Sequence, residues 1–297
     1  MHQELLLCGF VVIFMAAFTR AAVAKIVNGE NADIEDCPWQ ISLQKYKDGE
    51  WKHVCGGSII DERWILTATH CFNTSLTARN YRIAAGSSFL SRMTVYRSVK
   101  QIFVHEFFES PLEYDNDIML LELWTPLSFG STINKITLDK SKSNIFVGDI
   151  CKVSGWGRVN VTKGSISHLD RLQQANLSVV TNENCALSYP GVNFDNSKIC
   201  LQKNGTDVCF GDSGGPMVCE ANDGINKLVG ITSFGPDECD GSKPGGYTKV
   251  SFFLDWIKNK MKMNIERKYC KKYRKYQKNK KNRKYKKNKK NRRYTKN

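Results

Sequence analysis

Between residue 26 and about residue 253, the chain alternates short apolar runs with turn residues. Runs such as residues 39–43 and 228–233 are rich in Val, Ile, Leu and aromatic side chains. Segments with strong turn preference, such as residues 47–49 and 86–88, separate the runs. Many short strands at this spacing predict an all-β sandwich or barrel.

A helical pattern is clear only near the end of this region. Phe252, Phe253, Trp256, Ile257 and Met261 would share one face of a helix. We expect this helix to run to about residue 264.

Residues 265–297 have a different composition. Residues 266–297 contain eighteen Lys or Arg and one Glu, a net charge of +17, whereas the whole chain carries +15, which leaves −2 for the rest. A nine-residue repeat rich in Lys, Asn and Arg begins at Tyr276, again at Tyr285 and, in part, at Tyr294. Such a segment has little to bury and repels itself, so we predict a disordered basic tail.

The first residues predict a removed secretion signal. Residues 5–18 form an apolar run of fourteen residues, shorter than the ~20 that a membrane-spanning helix needs. Residues 22–24, Ala-Val-Ala, then offer the small-x-small pattern of a signal peptidase site. We therefore interpret residues 1–24 as a signal peptide and expect a secreted, extracellular protein without a transmembrane segment.

Cysteine usage agrees with an oxidising compartment. Removal of the signal takes Cys8 away and leaves ten of the eleven cysteines, an even number that predicts disulfides. Zinc is the competing interpretation, but the sequence has no CxxC pair and its cysteine spacings are irregular, so we predict no metal site. Four sequons fit a secreted glycoprotein, at Asn73, Asn160, Asn176 and Asn204.

Three separate motifs supply the residue types that acyl transfer needs. His70 lies in the run TATHC, Asp117 in DND and Ser213 in GDSGGP. A serine hydroxyl is a poor nucleophile until an imidazole accepts its proton, and a carboxylate fixes the tautomer of that imidazole. Glycines beside Ser213 let the backbone present the amides of Gly211 and Ser213 to a developing oxyanion. The three motifs together predict a Ser-His-Asp triad.

With these motifs in place, residues 26 to about 264 resemble the chymotrypsin-fold serine proteases of the trypsin-like family. The matching stretches, in the family's order, are IVNG from residue 26, PWQ from 38, CGGS from 55, TATHC from 67, DNDI from 115, SGWG from 154, GDSGGP from 211 and PGGYTKV from 244. The resemblance implies an all-β fold of two packed six-stranded antiparallel β-barrels, roughly residues 26–140 and 141–250, with a C-terminal helix. It implies an acyl-enzyme mechanism and no cofactor.

The resemblance also places a substrate pocket. Asp207, six residues before Ser213, would lie at the pocket floor, with Gly235 and Gly245 on the walls. A buried carboxylate there would pair with a cationic side chain, so cleavage after Arg and Lys is expected. The alternative is a solvated loop acid that follows the Asn204 sequon. Further residues expected to contact substrate are Val208, Ser233 and Phe234.

Activation by cleavage is expected on the same grounds. Removal of a one-residue propeptide, Lys25, would free the amino group of Ile26 to pair with Asp212 and order the oxyanion hole. Before cleavage, the corresponding aspartate in the family instead pairs with a histidine and a serine. His53 and Ser42 stand at the positions of those two residues in this chain. With a propeptide this short, we expect no regulatory prodomain.

The family pairing of cysteines would form four disulfides: Cys55–Cys71, Cys151–Cys219, Cys185–Cys200 and Cys209–Cys239. Cys37 and Cys270 remain. A bond between them, free thiols, and a bond to another molecule all stay open, because spatial separation decides.

This chain departs from the family pattern near the pocket. Phe234 stands where Trp usually lines the cleft, and Gly246 where Val is common. Val208 stands where a small or hydroxylated residue is usual and cannot hydrogen-bond an ammonium, so we expect Arg to be preferred over Lys. Residues 86–100 lack the carboxylates of the family's calcium site, so we predict no bound calcium.

Two functions compete for this sequence. The first is a secreted trypsin-like endopeptidase, made as a zymogen, that acts as a monomer on substrates with Arg or Lys and is subject to protease inhibitors. The second is a weakly active or non-catalytic homologue that binds polyanions through its tail. The intact triad favours the first. For residues 266–297 we expect electrostatic attraction to a sulfated glycosaminoglycan or an anionic surface. The alternative is that this segment is only a solvated extension without a binding partner.

Overall fold

The computed structural model describes residues 29–73, 75, 77–140, 146–158 and 169–262. The predicted signal peptide, Lys25, Ile26, the Asn160 sequon, Cys270 and the basic tail lie outside these residues. The described chain opens with a two-residue strand, β1 (Glu30–Asn31). Two barrels follow it.

The first barrel is closed and antiparallel. Its strands are β2 (Gln40–Lys47), β3 (Glu50–Asp61), β4 (Trp64–Thr67), β5 (Tyr81–Ala85), β6 (Val95–Val104) and β7 (Met119–Leu123). They hydrogen-bond in the order β2-β3-β4-β7-β6-β5, and β5 pairs back onto β2. Branched side chains fill the interior, and Ile41, Ile59 and Ile65 are fully buried. Such residues fit a pleated surface that is packed on one side.

The second barrel is also antiparallel and closed. A short strand, β8 (Thr137–Leu138), precedes β9 (Ile150–Gly155), β10 (Gln173–Val180), β11 (Lys198–Gln202), β12 (Pro216–Glu220), β13 (Asn226–Phe234) and β14 (Gly245–Lys249). Strand β9 pairs with both β10 and β12 and so closes the ring of six. Strands β1 and β8 add to β10 and β13 from outside the ring. The predicted pair of six-stranded barrels is confirmed.

Two α-helices accompany the barrels in the part of the chain that the structure describes. Helix α1 (Asn182–Ser188) begins after Thr181, whose side chain accepts a hydrogen bond from the Asn184 amide. Helix α2 covers residues 254–262. Short 3-10 turns are Ile34–Asp36, Thr69–Cys71, Ala78–Asn80, Leu90–Arg92 and Val250–Phe253. None of the helices in the described ranges is long and apolar enough to cross a membrane.

The C-terminal helix packs against the first barrel. Phe253 and Ile257 are buried in that barrel's core, and burial of such a side chain stabilises the fold by about 1.5–3 kcal/mol. The prediction that Phe252 shares one face of this helix with Phe253 and Ile257 was wrong. Phe252 lies in the 3-10 turn before α2, where three residues per turn rotate it away from the helical stripe, and it is 53% exposed.

The four expected disulfides are present, Cys55–Cys71, Cys151–Cys219, Cys185–Cys200 and Cys209–Cys239. Cys37 is a buried free thiol whose sulfur lies 4.0 Å from the Gln174 Oε1. Burial raises its pKa. Three of the sequon asparagines, Asn73, Asn176 and Asn204, are exposed.

Candidate active site

A cleft between the two barrels brings together several of the predicted residues. It has a volume of about 240 Å³ and is lined by side chains that include His70, Tyr114, Ser213 and Phe234. The 3-10 turn after β4 carries His70, and the loop before β7 carries Asp117. Ser213 lies in the loop before β12. Motifs from both barrels therefore meet at one interface.

His70 and Asp117 are joined by two hydrogen bonds. Asp117 Oδ2 lies 2.7 Å from His70 Nδ1, and Asp117 Oδ1 accepts a 3.0 Å hydrogen bond from the His70 amide. Burial by itself lowers the pKa of His70, but the charge and the hydrogen bond of Asp117 raise it, and the net pKa lies above the ordinary value. The pair favours a proton on Nδ1, which leaves Nε2 able to accept one.

The second barrel holds Asp117 in place. Ser233 Oγ, on β13, donates a 2.6 Å hydrogen bond to Asp117 Oδ2. Thr248 Oγ1, on β14, donates a 2.8 Å hydrogen bond to the Asp117 carbonyl oxygen. Asp117 is fully buried, so these bonds act where water does not compete. Ser233 therefore contacts the expected triad rather than only the substrate cleft.

The backbone around Ser213 is fixed by glycines. Gly211 and Gly214 have φ values of 104° and 74°, which favour glycine. A Cβ at Gly214 would lie 2.1 Å from Thr67 Oγ1. The Ser213 carbonyl accepts a 2.8 Å hydrogen bond from the Gly56 amide, which ties the loop to β3 of the first barrel.

Asp212 is a buried carboxylate next to Ser213. Its Oδ1 accepts a 2.7 Å hydrogen bond from the Gly157 amide, and its Oδ2 a 2.9 Å bond from the Cys209 amide. Burial raises its pKa to about 6, although the two amides lower it. A Cβ at Gly155 would lie 2.0 Å from Asp212 Oδ1, so the carboxylate needs glycine there. Its expected partner Ile26 lies outside the described residues.

His53 and Ser42 form a short hydrogen-bonded chain onto the same loop. Ser42 Oγ lies 2.8 Å from His53 Nδ1, and His53 Nε2 lies 3.0 Å from the Gly211 carbonyl oxygen. These two residues, expected near Asp212 from the resemblance, thus anchor the loop at Gly211. Asp212 itself is held by the two amides described above.

Asp207 directly precedes Val208, which lines the cleft, and is 1% exposed. Its Oδ1 accepts a 2.8 Å hydrogen bond from the Val208 amide, whereas its Oδ2 is buried without a hydrogen-bond partner in the described part of the chain. Burial raises its pKa to about 7. A Cβ built on Gly235 would lie 3.7 Å from Oδ2, and one on Gly245 would lie 3.4 Å from Oδ1. The two glycines therefore flank the carboxylate, which is not a solvated loop acid.

An aromatic cluster forms one side of the cleft. The Phe234 ring stacks on Tyr114 at 4.6 Å and meets the edges of Tyr189 and Phe194 at 5.2 and 5.9 Å. A Cβ at Gly246 would lie 2.2 Å from Phe234 Cζ. The two departures at 234 and 246 therefore form one packing arrangement, in which the ring occupies the space of the missing side chain.

The sequence motifs did not reveal Tyr114, Tyr189 or Phe194. Tyr114 lies three residues before Asp117 in the DND loop, and this spacing was the one available signal. Tyr189 and Phe194 follow α1 in a segment without a recognisable motif. Their rings reach the cleft residue Phe234 because the barrel brings this segment beside β13.

One group of potential metal ligands is close together among the described residues. Ligand atoms of Cys55, His70 and Cys71 all lie within 4.8 Å of one another. Cys55 and Cys71 are joined in a disulfide, and a disulfide offers no thiolate to a metal. The group therefore does not fit a metal centre.

Comparisons with known proteins agree with this geometry. The protein-family model described as trypsin matches residues 26–257. Chymotrypsin-C of Mus musculus is 37% identical over 249 residues, which cover 81% of this chain and 90% of that protein. The matched range contains His70, Asp117 and Ser213 and every residue named above in the cleft.

Proposed function

Because this chain belongs to the trypsin family of serine proteases, we propose that it is a secreted endopeptidase that cleaves after Arg and Lys, with Arg preferred. The observation that carries this specificity is Asp207 Oδ2, a buried oxygen without a donor in the described residues. An arginine guanidinium would bring several donors of opposite charge to it. Val208 offers no side-chain hydrogen bond to a lysine ammonium, which disfavours the shorter cation.

The proposed reaction uses His70, Asp117 and Ser213. His70 Nε2 accepts the Ser213 hydroxyl proton while Ser213 Oγ bonds to the scissile carbonyl carbon. The oxygen of the tetrahedral intermediate accepts hydrogen bonds from the Gly211 and Ser213 amides. His70 then gives its proton to the leaving amine as the carbon–nitrogen bond breaks. A water molecule, deprotonated by His70, cleaves the acyl-enzyme and restores the Ser213 hydroxyl.

We also propose zymogen activation by cleavage after Lys25. The buried Asp212 supports this, since burial raises its pKa and no nearby cation in the described residues offsets that effect. The Ile26 ammonium would supply that cation. Secretion is supported by the signal pattern of residues 1–24 and by the four disulfides.

The test of this function compares peptide substrates that differ only at the residue before the cleaved bond. The enzyme, cut after Lys25, is expected to hydrolyse the Arg substrate fastest, the Lys substrate more slowly, and Leu or Tyr substrates hardly at all. Ser213→Ala is the control and should remove all hydrolysis. Equal inactivity of wild type and Ser213→Ala would instead favour a non-catalytic homologue, and preference for Leu or Tyr would reject the role given to Asp207.

For the basic tail we propose electrostatic binding to a sulfated glycosaminoglycan. Its net charge of +17 supports this, because the rest of the chain carries about −2. Heparin chromatography of the Ser213→Ala protein, with and without residues 266–297, tests it without self-cleavage. Loss of the tail should lower the eluting salt concentration sharply. Equal elution would reject tethering.

A further inference from the structure

Lys198 and Asp115 form a buried ion pair that joins the two barrels. Lys198 lies in β11 of the second barrel, and Asp115 in the loop before β7 of the first. The two residues are 3% and 4% exposed, and Lys198 Nζ contacts Asp115 Oδ1. Removal of one partner would leave the other charge buried and uncompensated. Neither residue belongs to the proposed triad or pocket.

The loop that carries Asp115 needs support. Tyr114 and Asn116 have φ values of 60° and 54°, in the left-handed region that is unfavourable for residues other than glycine. Residues keep such conformations only where surrounding contacts fix them. The Asn116 side-chain amide donates hydrogen bonds of 2.8 and 3.2 Å to the carbonyl oxygens of Phe107 and Ser110. Those contacts fix the loop within the first barrel, and Lys198 fixes it to the second.

Lys198 forms a cross-strand pair in the second barrel with Thr248, which contacts Asp117. In the pairing of β11 with β14, Lys198 is opposite Thr248. Thr248 Oγ1 donates a 2.8 Å hydrogen bond to the Asp117 carbonyl oxygen. This cross-strand pair therefore holds the loop at two positions: Lys198 contacts the Asp115 side chain, and Thr248 contacts the Asp117 backbone. Ser213 belongs to the same barrel as this pair.

We propose that Lys198 is a positioning residue for the His70–Asp117 pair. By holding Asp115, it sets the first-barrel loop at a fixed place relative to the barrel that supplies Ser213. Its effect on hydrolysis acts through Asp117. The kinetic part of its test rests on the proposed proteolytic function, and the spectroscopic part does not.

The test compares Lys198→Met with the double variant Lys198→Met/Asp115→Asn, in which neither charge remains. Lys100→Met is the matched control, because Lys100 pairs at 2.8 Å with the buried Glu122 between β6 and β7, away from the cleft. For each protein we would measure melting temperature, kcat and KM with an arginyl peptide. The NMR signal of the His70 Nδ1 proton would also be followed in the absence of substrate.

The proposal expects kcat to fall by about 100-fold in both Lys198 variants, with little change in KM and with a changed Nδ1 proton signal. The double variant should regain melting temperature but not kcat. Lys100→Met should have a lower melting temperature than the wild type but an unchanged kcat and an unchanged Nδ1 proton signal. Should Lys198→Met fail to fold, the double variant provides the comparison.

Three results would overturn the proposal. The first is wild-type kcat and proton signal in the double variant. The second is a kcat that recovers together with melting temperature, since this indicates a purely structural role. The third is an equal loss of kcat in Lys100→Met. An inactive wild type would count against the proposed function, and the proton signal would then decide on Lys198.

Discussion

Replacement of Asp207 by Asn is expected to weaken hydrolysis of arginyl substrates while making the folded protein more stable. The substitution keeps the size of the side chain and removes a buried charge next to Val208, a residue of the cleft. Loss of one partner from a buried, hydrogen-bonded charge pair costs about 2–5 kcal/mol. Since each factor of ten corresponds to about 1.4 kcal/mol, kcat/KM should fall by about 30-fold to about 4,000-fold.

The stability effect has the opposite sign, because no cation among the described residues of the free enzyme compensates the charge of Asp207. The pKa rises from 3.8 to about 7 in the folded state. A raised pKa of an acid means that folding disfavours the ionised form, and about three units correspond to up to about 4 kcal/mol. This cost is fully present above pH 7, decreases as the pH falls toward 4, and is absent below. Asp207→Asn should therefore raise the free energy of unfolding at pH 8 and not at pH 4.

The two effects are measured separately. Kinetics with an arginyl peptide give kcat/KM, and denaturant unfolding in a Ser213→Ala background gives stability without self-cleavage. Asp237→Asn is the control, because Asp237 lines the same cleft but is exposed, and an exposed charge contributes about 0–1 kcal/mol. If Asp207→Asn lowered activity no more than Asp237→Asn, or destabilised the fold at pH 8, the account of the pocket would be wrong.

Three further predictions concern the rest of the site. With an uncharged substrate, kcat/KM should fall on acidification with a midpoint above 6.5, because the raised pKa of His70 keeps it protonated to higher pH; a pH profile measures this. Gly246→Ala should raise KM several-fold for long peptides and not for single-residue esters, since its Cβ would displace the Phe234 ring. Gly155→Ala should lower kcat by about 100-fold, because its Cβ would displace the Asp212 carboxylate and with it the loop that positions Ser213.

Controls distinguish these effects from general damage. Gly130→Ala adds a methyl group where nothing lies within 4 Å, so its kcat and KM should match wild type. Phe234→Ala in the Gly246→Ala background removes the clash, and the double variant should then behave like Phe234→Ala alone. A midpoint below 6.5, equal KM increases for esters and peptides, or wild-type kcat in Gly155→Ala would contradict the respective prediction.

Much of the fold could be predicted from the sequence because it depends on local pattern and on motifs. Short branched runs between turns indicated strands, and the motifs around His70, Asp117 and Ser213 carried a family resemblance that implied two barrels and a shared site. The disulfide pairs followed from the same resemblance. The position of Asp207 beside Gly235 and Gly245 also followed from the resemblance.

The rest depends on contacts between distant segments. Lys198 and Asp115 are 83 residues apart, and nothing near either residue signals a buried partner. Phe234 and Gly246 were recognised as separate departures, but their relation follows from the register of β13 on β14. Phe252 was misplaced because helical periodicity does not show where a 3-10 turn ends and the α-helix begins.

The four disulfides also decide how the molecule behaves after it is cut. Cys55–Cys71 lies within the first barrel, and the other three bonds join residues of the second half, so among the described residues none links the barrels. As far as the described residues go, a single nick between the halves would leave two internally cross-linked fragments held only by non-covalent contacts, which include the Lys198–Asp115 ion pair and the packing of the C-terminal helix on the first barrel. Denaturant without reductant would separate these fragments. Since both halves contribute to the cleft, the nicked protease would lose activity by dissociation and on dilution.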